Sequence, residues 1–156
     1  MFTNVLMHGI FEPEFFDNLR KIKLEKVFVL EGRPHLESSR RTCRELLKRK
    51  IQPTLIADNM AGFLFNKGLI GEVWTAYQDL KNQDALCQIG SLILAVLGKR
   101  HQVPVYLYPS SVRQKMEGIS KDVCYFNNKR VAPTGIKGYV PLLEWVPEKY
   151  ITKRVK

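Results

Sequence analysis

Apolar and polar positions alternate along this chain in blocks that predict strands followed by helices. Short apolar runs rich in β-branched residues predict five strands: Asn4–His8, Val27–Leu30, Ile51–Ala57, Glu72–Ala76 and Val103–Tyr108. Helical spacing of apolar residues predicts the helices between them: one that begins at Glu12-Pro13, then Ser39–Lys50, Met60–Asn66 and Ala85–Arg100. Such alternation with short connections predicts an α/β fold, in which helices cover both faces of a parallel sheet.

The stretch from Val27 to Leu46 carries the strongest local signals. Its first four residues form a continuous apolar run, typical of a strand buried on both faces, and the polar turn Glu31–Pro34 ends that run. Ser38–Ser39 stand where a helix prefers its N-cap. Arg40–Arg41 then place two cations in the first helical turn, against the helix dipole. Either these arginines help to bind an anion or they simply face solvent. The helix that follows is predicted to bury Cys43, Leu46 and Leu47.

Two later segments complete the organisation. The polar loop Tyr77–Gln83 is predicted to lead to Asp84 as the N-cap of the longest helix. After Pro109 the pattern weakens to a short helix, Ser111–Glu117, and extended pieces around Val123–Phe126, Arg130–Val131 and Gly138–Leu143. We therefore expect a single domain over residues 1–156, in which residues 109–156 form a less regular C-terminal arm that serves dimerisation.

The ends of the predicted strands indicate where a ligand would bind. In open parallel sheets, ligands bind in the crevice beyond the carboxyl ends of the strands. Those ends carry His8-Gly9, Glu31-Gly32-Arg33, Asp58-Asn59, Ala76-Tyr77 and Tyr108-Pro109-Ser110. Helix N-termini converge on the same edge and favour a small anionic ligand. The chain has no GxGxxG motif, so a dinucleotide is not indicated.

Composition narrows the class of partner. Among 156 residues, 25 lysines and arginines against 15 acidic residues give a net charge of +10, which favours anionic partners. The charge is dense only in Arg40–Arg49 and Lys149–Lys156, so RNA binding is a weaker expectation than a phosphorylated metabolite. No run is long enough for a membrane span, and no signal peptide is indicated. Three widely spaced cysteines favour a reducing, cytoplasmic setting without a metal site or cofactor.

Five collinear segments resemble a known family. Val27–Leu46 resembles V-x-V-x-E-[ST]-R-P-x-x-x-G-x-R-x-T-x-x-E-L of the translation initiation factor 2B alpha, beta and delta subunits and of the related methylthioribose-1-phosphate and ribose-1,5-bisphosphate isomerases. The other matching segments are Ile51–Ala61, Asn82 with Ile89–Ser91, His101–Tyr106 and Arg130–Thr152. The resemblance implies a Rossmann-like, three-layer domain similar to ribose-5-phosphate isomerase and CoA transferases, which usually dimerises through this region. It also implies an N-terminal helical domain before the sheet; this chain starts at about the first strand, which would leave the site open.

The resemblance fails at the residues that it implies for isomerase chemistry. Gly9 stands where the isomerases place a cysteine, and Tyr77 stands where they place an aspartate, although a shift of one or two residues would bring Asp79 there. Cys87-Gln88 replaces an Asn-Lys pair, and Glu37-Ser38 replaces a phosphate-contacting glutamine and a glycine. Aldose–ketose isomerisation needs a positioned acid and base, so these departures favour the non-catalytic branch of the family. His8-Gly9 also resembles the glycine-containing segment of the regulatory subunits.

We therefore expect a non-catalytic, oligomeric initiation factor 2B-like protein that binds a phosphorylated sugar or nucleotide in the crevice, with a translation role inherited from the resemblance alone. The alternatives are a sugar-phosphate isomerase that uses His8 and Asp58 or Asp79, and an RNA-binding basic domain. Expected partners are a second copy of the chain, a phosphorylated small molecule and a protein; nucleic acid and membranes are not expected. The candidate ligand-binding residues are Gly9, Glu31, Arg33, Glu37, Arg40, Asp58, Asn59, Asn82 and Gln88.

Several of these candidates have a structural interpretation as well. Arg33 either contacts the ligand or pairs with Glu31 or Glu37. Asp58 either acts in the site or, together with Asn59, caps the helix after the third strand. Three further residues are expected to have structural roles: Asn82 and Asp84 in the loop and cap of the long helix, and Cys87 in packing on that helix.

Overall fold

The computed structural model describes residues 3–155, which form a mixed α/β fold. The strands are Thr3–His8 (β1), Leu24–Leu30 (β2), Pro53–Ile56 (β3), Glu72–Lys81 (β4), Asp84–Gln88 (β5), Val105–Pro109 (β6), Tyr125–Phe126 (β7), Lys129–Arg130 (β8), Leu143–Val146 (β9) and Lys153–Arg154 (β10). The helices are Pro13–Asn18 (α1), Glu37–Lys48 (α2), Ala61–Asn66 (α3), Ser91–His101 (α4) and Ser120–Cys124 (α5). No helix in this part of the chain is long and apolar enough to cross a membrane.

The main sheet is mostly parallel, as predicted. Its strands follow the order β10-β6-β4-β1-β2-β3, and all neighbours in that order run parallel. The antiparallel strands β5 and β9 extend it, because β5 pairs with β4 and β9 pairs with β5. Since the parallel strands end at the same edge, the turns that follow β1, β2, β3 and β6 gather there.

Side chains alternate between two cores, one on each face of the sheet. In β1, Val5 and Met7 point to one face and Leu6 to the other, and all three are fully buried. The first face packs against Phe16 of α1 and Leu46 of α2. Helices α3 and α4 cover the other face. The three-layer arrangement predicted from the sequence is therefore confirmed.

The largest error of the sequence prediction lies between residues 77 and 90. The predicted loop Tyr77–Gln83 is the continuation of β4, and the first residues of the predicted long helix form β5. The two strands meet in a two-residue turn at Asn82 and Gln83, both of which have positive φ (49° and 72°), as a type I′ hairpin turn requires. Asp84 therefore begins a strand and caps no helix, and α4 starts only after Gly90.

Two helix predictions need smaller corrections. Helix α2 starts at Glu37 with Leu36 as its N-cap residue, so Ser38 and Ser39 lie inside its first turn. On the same helix Leu46 is buried as predicted and Cys43 is half-buried, but the side chain of Leu47 is 52% exposed.

The C-terminal region also differs from its prediction. Residues 111–117 form no helix. Together with Ser110 they form an irregular strap, residues 110–117, that crosses the carboxyl edge of the sheet. The segment after Pro109 also supplies β9 and β10, so much of it belongs to the sheet of this domain. Its expected role in dimerisation stays a prediction.

Candidate functional site

The turn after β2 is held against the end of β3 by a single carboxylate. Asp58 accepts hydrogen bonds from the backbone amide of Gly32 (2.9 Å) and from that of Arg33 (2.8 Å), one on each oxygen. Its side chain makes no helix-cap hydrogen bond, so the predicted capping role is wrong. Asn59 lies beside it and is exposed. Asp58 thus fixes the loop that begins α2, with each of its oxygens held by a backbone amide.

The side chain of Arg33 is turned towards the C-terminal region. Its guanidinium donates to the carbonyls of Val123 (3.4 Å) and Tyr125 (3.4 and 3.5 Å) and lies 4.7 Å from the centre of the Phe126 ring. Neither Glu31 nor Glu37 is its partner, contrary to the structural interpretation of the sequence. These hydrogen bonds are long and therefore weak.

The N-terminus of α2 opens onto the crevice. Arg40 donates the first intrahelical hydrogen bond, to the carbonyl of Leu36 (3.2 Å), so the amides of residues 37–39 lie ahead of the helical ladder. The hydroxyl of Ser39 is used internally, because it donates to the carbonyls of Glu31 (2.6 Å) and Leu36 (3.1 Å). This N-terminus thus presents backbone donors to the crevice.

The charged side chains of the first turn of α2 lie at the surface. Glu37 pairs with Arg41 at 2.6 Å, which neutralises the carboxylate that the sequence placed beside the candidate anion. Arg40 is exposed, and no acidic group within residues 3–155 forms an ion pair with it. The positive charge of Arg40 is therefore available at this end of the helix.

His8 ends β1 inside the molecule. Its side chain is 2% exposed, and Nε2 lies 2.8 Å from the carbonyl oxygen of Ile89, to which it donates. Burial lowers the pKa of His8 below its usual value, against the opposing effects of that carbonyl, Asp58 and Glu144. The imidazole is therefore neutral at pH 7, and its Nδ1 has no hydrogen-bond partner among the described protein groups.

Two glycines allow the backbone to pass close to this histidine. A Cβ on Gly90, whose φ is +98°, would lie 3.2 Å from Nε2 of His8. Gly9 also has a φ of +98°, and a Cβ there would lie 3.1 Å from the Cβ and amide nitrogen of Ala76. A cysteine at position 9 would have to adopt a left-handed backbone, and Ala76 of β4 would have to shift by a few tenths of an ångström. The geometry of this strand end therefore favours glycine.

Gln88 lies between the two sides of the crevice. It is 7% exposed, and its Nε2 donates to the hydroxyl of Ser38 at 3.1 Å. Its Oε1 has no partner in the described part of the protein. Whichever way the amide is turned, only one of its two polar atoms faces Ser38, so the other is left without a partner. A buried amide atom in this state marks a position where a ligand or water group completes the hydrogen bonding.

The N-terminus of α4 is already occupied by a carboxylate of the same chain. Oε1 of Glu144, on β9, accepts from the amides of Gly90 (2.7 Å) and Leu92 (2.9 Å). The N-terminus of α4 is therefore not free to receive an external anion. Sequence reasoning missed Glu144, because its partners lie more than 50 residues away in the chain.

Tyr77 and Asp79 lie at or near the position where the resemblance implies an isomerase aspartate. Tyr77 is half-buried and lines the Gly9 side of the crevice. Asp79, the alternative acid, is exposed on the β4–β5 hairpin and accepts a hydrogen bond from the amide of Leu80. Asn82 lies in the turn of that hairpin. Cys87 is in the core on β5, where burial raises the pKa of its thiol to about 12.

A strap formed by residues 110–117 covers the crevice. Gln78 holds it through its side chain, which accepts from the amide of Gln114 (3.0 Å) and donates to the Gln114 carbonyl (3.5 Å). Arg113 donates to the carbonyl of Gln78, and the amide of Ser111 donates to Glu12. Sequence reasoning missed Gln78 and Gln114, since no pattern in the chain links them.

Under the strap, the crevice consists of two small cavities. The Gly9 cavity and the α2 cavity, which lies at the Gly32 side, each have room for about 10 Å³, about one water molecule. Gln88 and Gln114 line both, so they form the partition between them. The α2 cavity is lined by Gly32, Arg33, Pro34, His35, Glu37, Ser38, Gln88, Ile89, Gln114 and Leu142. Within residues 3–155, no three histidine, cysteine or acidic side chains lie together as a metal site requires.

Residues 15–155 match the sequence profile of the Initiation factor 2 subunit family. The chain belongs to this family. Methylthioribose-1-phosphate isomerases from Thermus thermophilus and Carboxydothermus hydrogenoformans are 34% and 35% identical to it over 142 residues, or 83% of this chain and 43% and 41% of theirs. The chain thus spans less than half the length of these relatives.

Solved structures of the family share the fold. Subunit delta of translation initiation factor eIF-2B from A. fulgidus has a TM-score of 0.85 at 22% identity and covers 97% of this chain and 51% of its own. The 5-methylthioribose 1-phosphate isomerase from Pyrococcus horikoshii has a TM-score of 0.82 at 22% identity, with 97% of this chain and 49% of its own covered. Family membership and fold, both expected from the sequence, are therefore confirmed.

Proposed function

We propose that this protein binds a phosphorylated sugar in the crevice at the carboxyl edge of the sheet and does not isomerise it. The observation that carries the proposal is the composition of the crevice wall. Backbone amides, serine hydroxyls and glutamine amides line it, and Gly9 and Tyr77 stand where the resemblance implies the thiol and the carboxylate of an isomerase. Such a wall can bind a sugar phosphate. Its imidazole and carboxylate, His35 and Glu37, lie 3.1 Å from Asp122 and 2.6 Å from Arg41, so we expect neither to move a proton between carbon atoms of the sugar.

The phosphate is expected at the N-terminus of α2. The amides ahead of the first helical hydrogen bond and the helix dipole favour an anion there. Arg33 lines the α2 cavity, and Arg40 adds an exposed charge in the first turn of the helix, outside the cavity lining. A phosphate oxygen would give Arg33 shorter, charge-assisted hydrogen bonds than its present carbonyl contacts at 3.4–3.5 Å. The net charge of +10 also favours an anionic ligand.

The remaining candidates have supporting roles in this proposal. Asp58 holds the amides of Gly32 and Arg33, and so positions the loop before α2. Gln88 supplies an unused polar atom for a sugar hydroxyl. His8 is too deeply buried to exchange protons with a ligand, and it serves to hold the segment that leads into α4.

An isomerase is the second candidate, and the names of the relatives favour it. The curated relatives that are 34–35% identical are called methylthioribose-1-phosphate isomerases. Such an activity would have to use His8 together with Asp58 or Asp79 in place of the missing groups. These groups are poorly arranged for proton transfer to a sugar. The imidazole is buried, Asp58 accepts two backbone hydrogen bonds, and Asp79 is exposed on the hairpin.

A turnover assay separates the two candidates. The protein is incubated with 5-methylthioribose 1-phosphate and, separately, with ribose 5-phosphate, and conversion of aldose to ketose is followed by NMR. We expect no conversion above the rate without protein. A measurable rate that falls in His8→Gln or Asp79→Asn, but not in the exposed hairpin variant Lys81→Ala, would establish the isomerase instead.

A further inference from the structure

We propose that Gln114 of the strap contacts the sugar part of the bound ligand, and that Gln78 is the positioning residue that holds it there. The inference rests on the proposed function and adds a specificity-determining pair to it. It identifies the ligand class more closely as a phosphorylated sugar with a hydroxyl that reaches the partition between the two cavities.

The first observation is the location of Gln114. Gln114 and Gln88 are the two residues that line both cavities, each of which has room for only about 10 Å³ while the strap lies over it. A sugar phosphate with its phosphate at the N-terminus of α2 therefore needs the middle of the strap to move outward, and it then extends from the α2 cavity past this partition towards Gly9. Its hydroxyls then pass between two glutamine side chains, one from β5 and one from the strap.

The second observation is the unsatisfied hydrogen-bonding capacity at the same place. Gln88 is 93% buried with one amide atom unpartnered. The hydrogen bonds of Gln114 all run through its backbone, so its side-chain amide is not committed to any other described group. A hydroxyl both donates and accepts, and can therefore bond to the unused atoms of the two amides at once.

The third observation is the manner in which the strap is held. Between Ser111 and Met116, the strap is attached to the sheet through Gln78, whose side chain brackets the amide and carbonyl of Gln114 and whose own carbonyl accepts from Arg113. Its ends are fixed separately, by Ser110 to the carbonyl of Tyr77 (2.8 Å) and by Met116 to the amide of Leu142 (2.9 Å). Removing the Gln78 side chain should therefore release the middle of the strap and leave its ends in place.

Binding of two probes, inorganic phosphate and ribose 5-phosphate, tests this inference on the whole chain by calorimetry. Gln114→Ala should weaken ribose 5-phosphate binding about tenfold, the effect of one lost hydrogen bond of typical strength, and leave phosphate binding unchanged. Gln78→Ala should do the same, and the double variant should bind no more weakly than either single one. Gln52→Ala removes an exposed glutamine near β3 and is the control.

Amide hydrogen exchange of the ligand-free protein tests separately whether Gln78 positions the strap. Gln78→Ala should raise amide exchange in residues 112–116 by tenfold or more, whereas Gln114→Ala, which keeps the backbone bonds, should not. Gln78→Glu keeps the acceptor for the Gln114 amide and should restore much of the protection.

The other binding results distinguish failure of this inference from failure of the proposed function. If the wild type binds both probes and Gln114→Ala weakens both equally or neither, the inference is wrong while the proposed function stands. If the wild type binds neither probe, the proposed function fails and the inference fails with it. Unchanged exchange in Gln78→Ala would refute the positioning role of Gln78.

Discussion

Replacing Asp58 by asparagine should destabilise the whole domain, because this carboxylate joins two loops at the candidate site. It accepts from Gly32 N at 2.9 Å and from Arg33 N at 2.8 Å. Asparagine keeps one acceptor oxygen, but its NH₂ group then faces a backbone N–H, so one donor loses its partner. Hydrogen bonds to charged groups contribute about 1.5–3 kcal/mol, and a buried donor left unsatisfied costs about 1–3 kcal/mol.

The expected loss follows from the partial exposure of this site. Asp58 is half-buried, so water compensates part of the lost bond. We therefore expect the free energy of unfolding to fall by about 2 kcal/mol, below the upper end of those ranges. With a urea dependence of about 2 kcal/mol per molar, the midpoint of unfolding would shift by about 1 M.

Urea unfolding followed by circular dichroism measures this shift. Asp79→Asn is the matched control, because it removes the same charge from an exposed hairpin and should change the free energy of unfolding by less than about 0.5 kcal/mol. If Asp58→Asn were as stable as the control, the two backbone hydrogen bonds would not hold the loop, and the assignment of Asp58 as a structural residue would be refuted.

Three further predictions concern buried groups. The pKa of His8 is lowered in the folded state, so the unfolded chain binds more protons than the folded protein below about pH 6.5. The free energy of unfolding should therefore fall from pH 6.5 towards pH 5, by up to about 1.4 kcal/mol per pH unit. Urea titrations should show this dependence in wild type and in the exposed-site control His101→Gln, but not in His8→Gln. Leu46→Ala should lower the free energy of unfolding by about 3 kcal/mol, whereas Leu47→Ala, at the exposed neighbouring position, should change it by under about 1 kcal/mol; equal effects would contradict the orientation of α2. The Cys87 thiol, with a pKa of about 12, should resist alkylation at pH 8 until the protein is unfolded, and rapid labelling of the native protein would contradict its burial.

The sequence identified those parts of the fold in which local pattern and packing agree. The run Val27–Leu30 is apolar at every position and forms a strand buried on both faces. Helix α2 follows it with a buried Leu46, although its start differs by two residues from the prediction. These elements are predictable because their side-chain periodicity reflects directly which face is buried.

The β4–β5 hairpin was missed because its turn has an uncommon composition. Asn-Gly is the usual signal for a two-residue turn with positive φ, but here Asn82 is followed by Gln83. The apolar residues of β5 also run directly into those of α4 and resemble one long helix. Gly90 was the available signal, since a glycine with a φ of +98° marks the break before α4.

The sequence predicted which residues lie at the carboxyl edge of the sheet, but not which of them contact one another. Gly32, Arg33 and Asp58 do meet at that edge. Their specific pairing depends on loops 25 or 26 residues apart, and the Gln78–Gln114 pairing spans 36 residues. No local pattern encodes such partners, because they are determined by how the strands are ordered in the sheet.

Binding of ribose 5-phosphate is the measurement that tests the central claim most directly. Calorimetry on wild type, Arg40→Ala and Arg100→Ala compares two exposed arginines. Arg40 lies at the N-terminus of α2, and Arg100 lies near the C-terminus of α4. The account predicts saturable binding in wild type that weakens several-fold in Arg40→Ala and is unchanged in Arg100→Ala. Equal weakening in both variants would indicate a nonspecific effect of net charge, and no binding by the folded wild type would contradict the account.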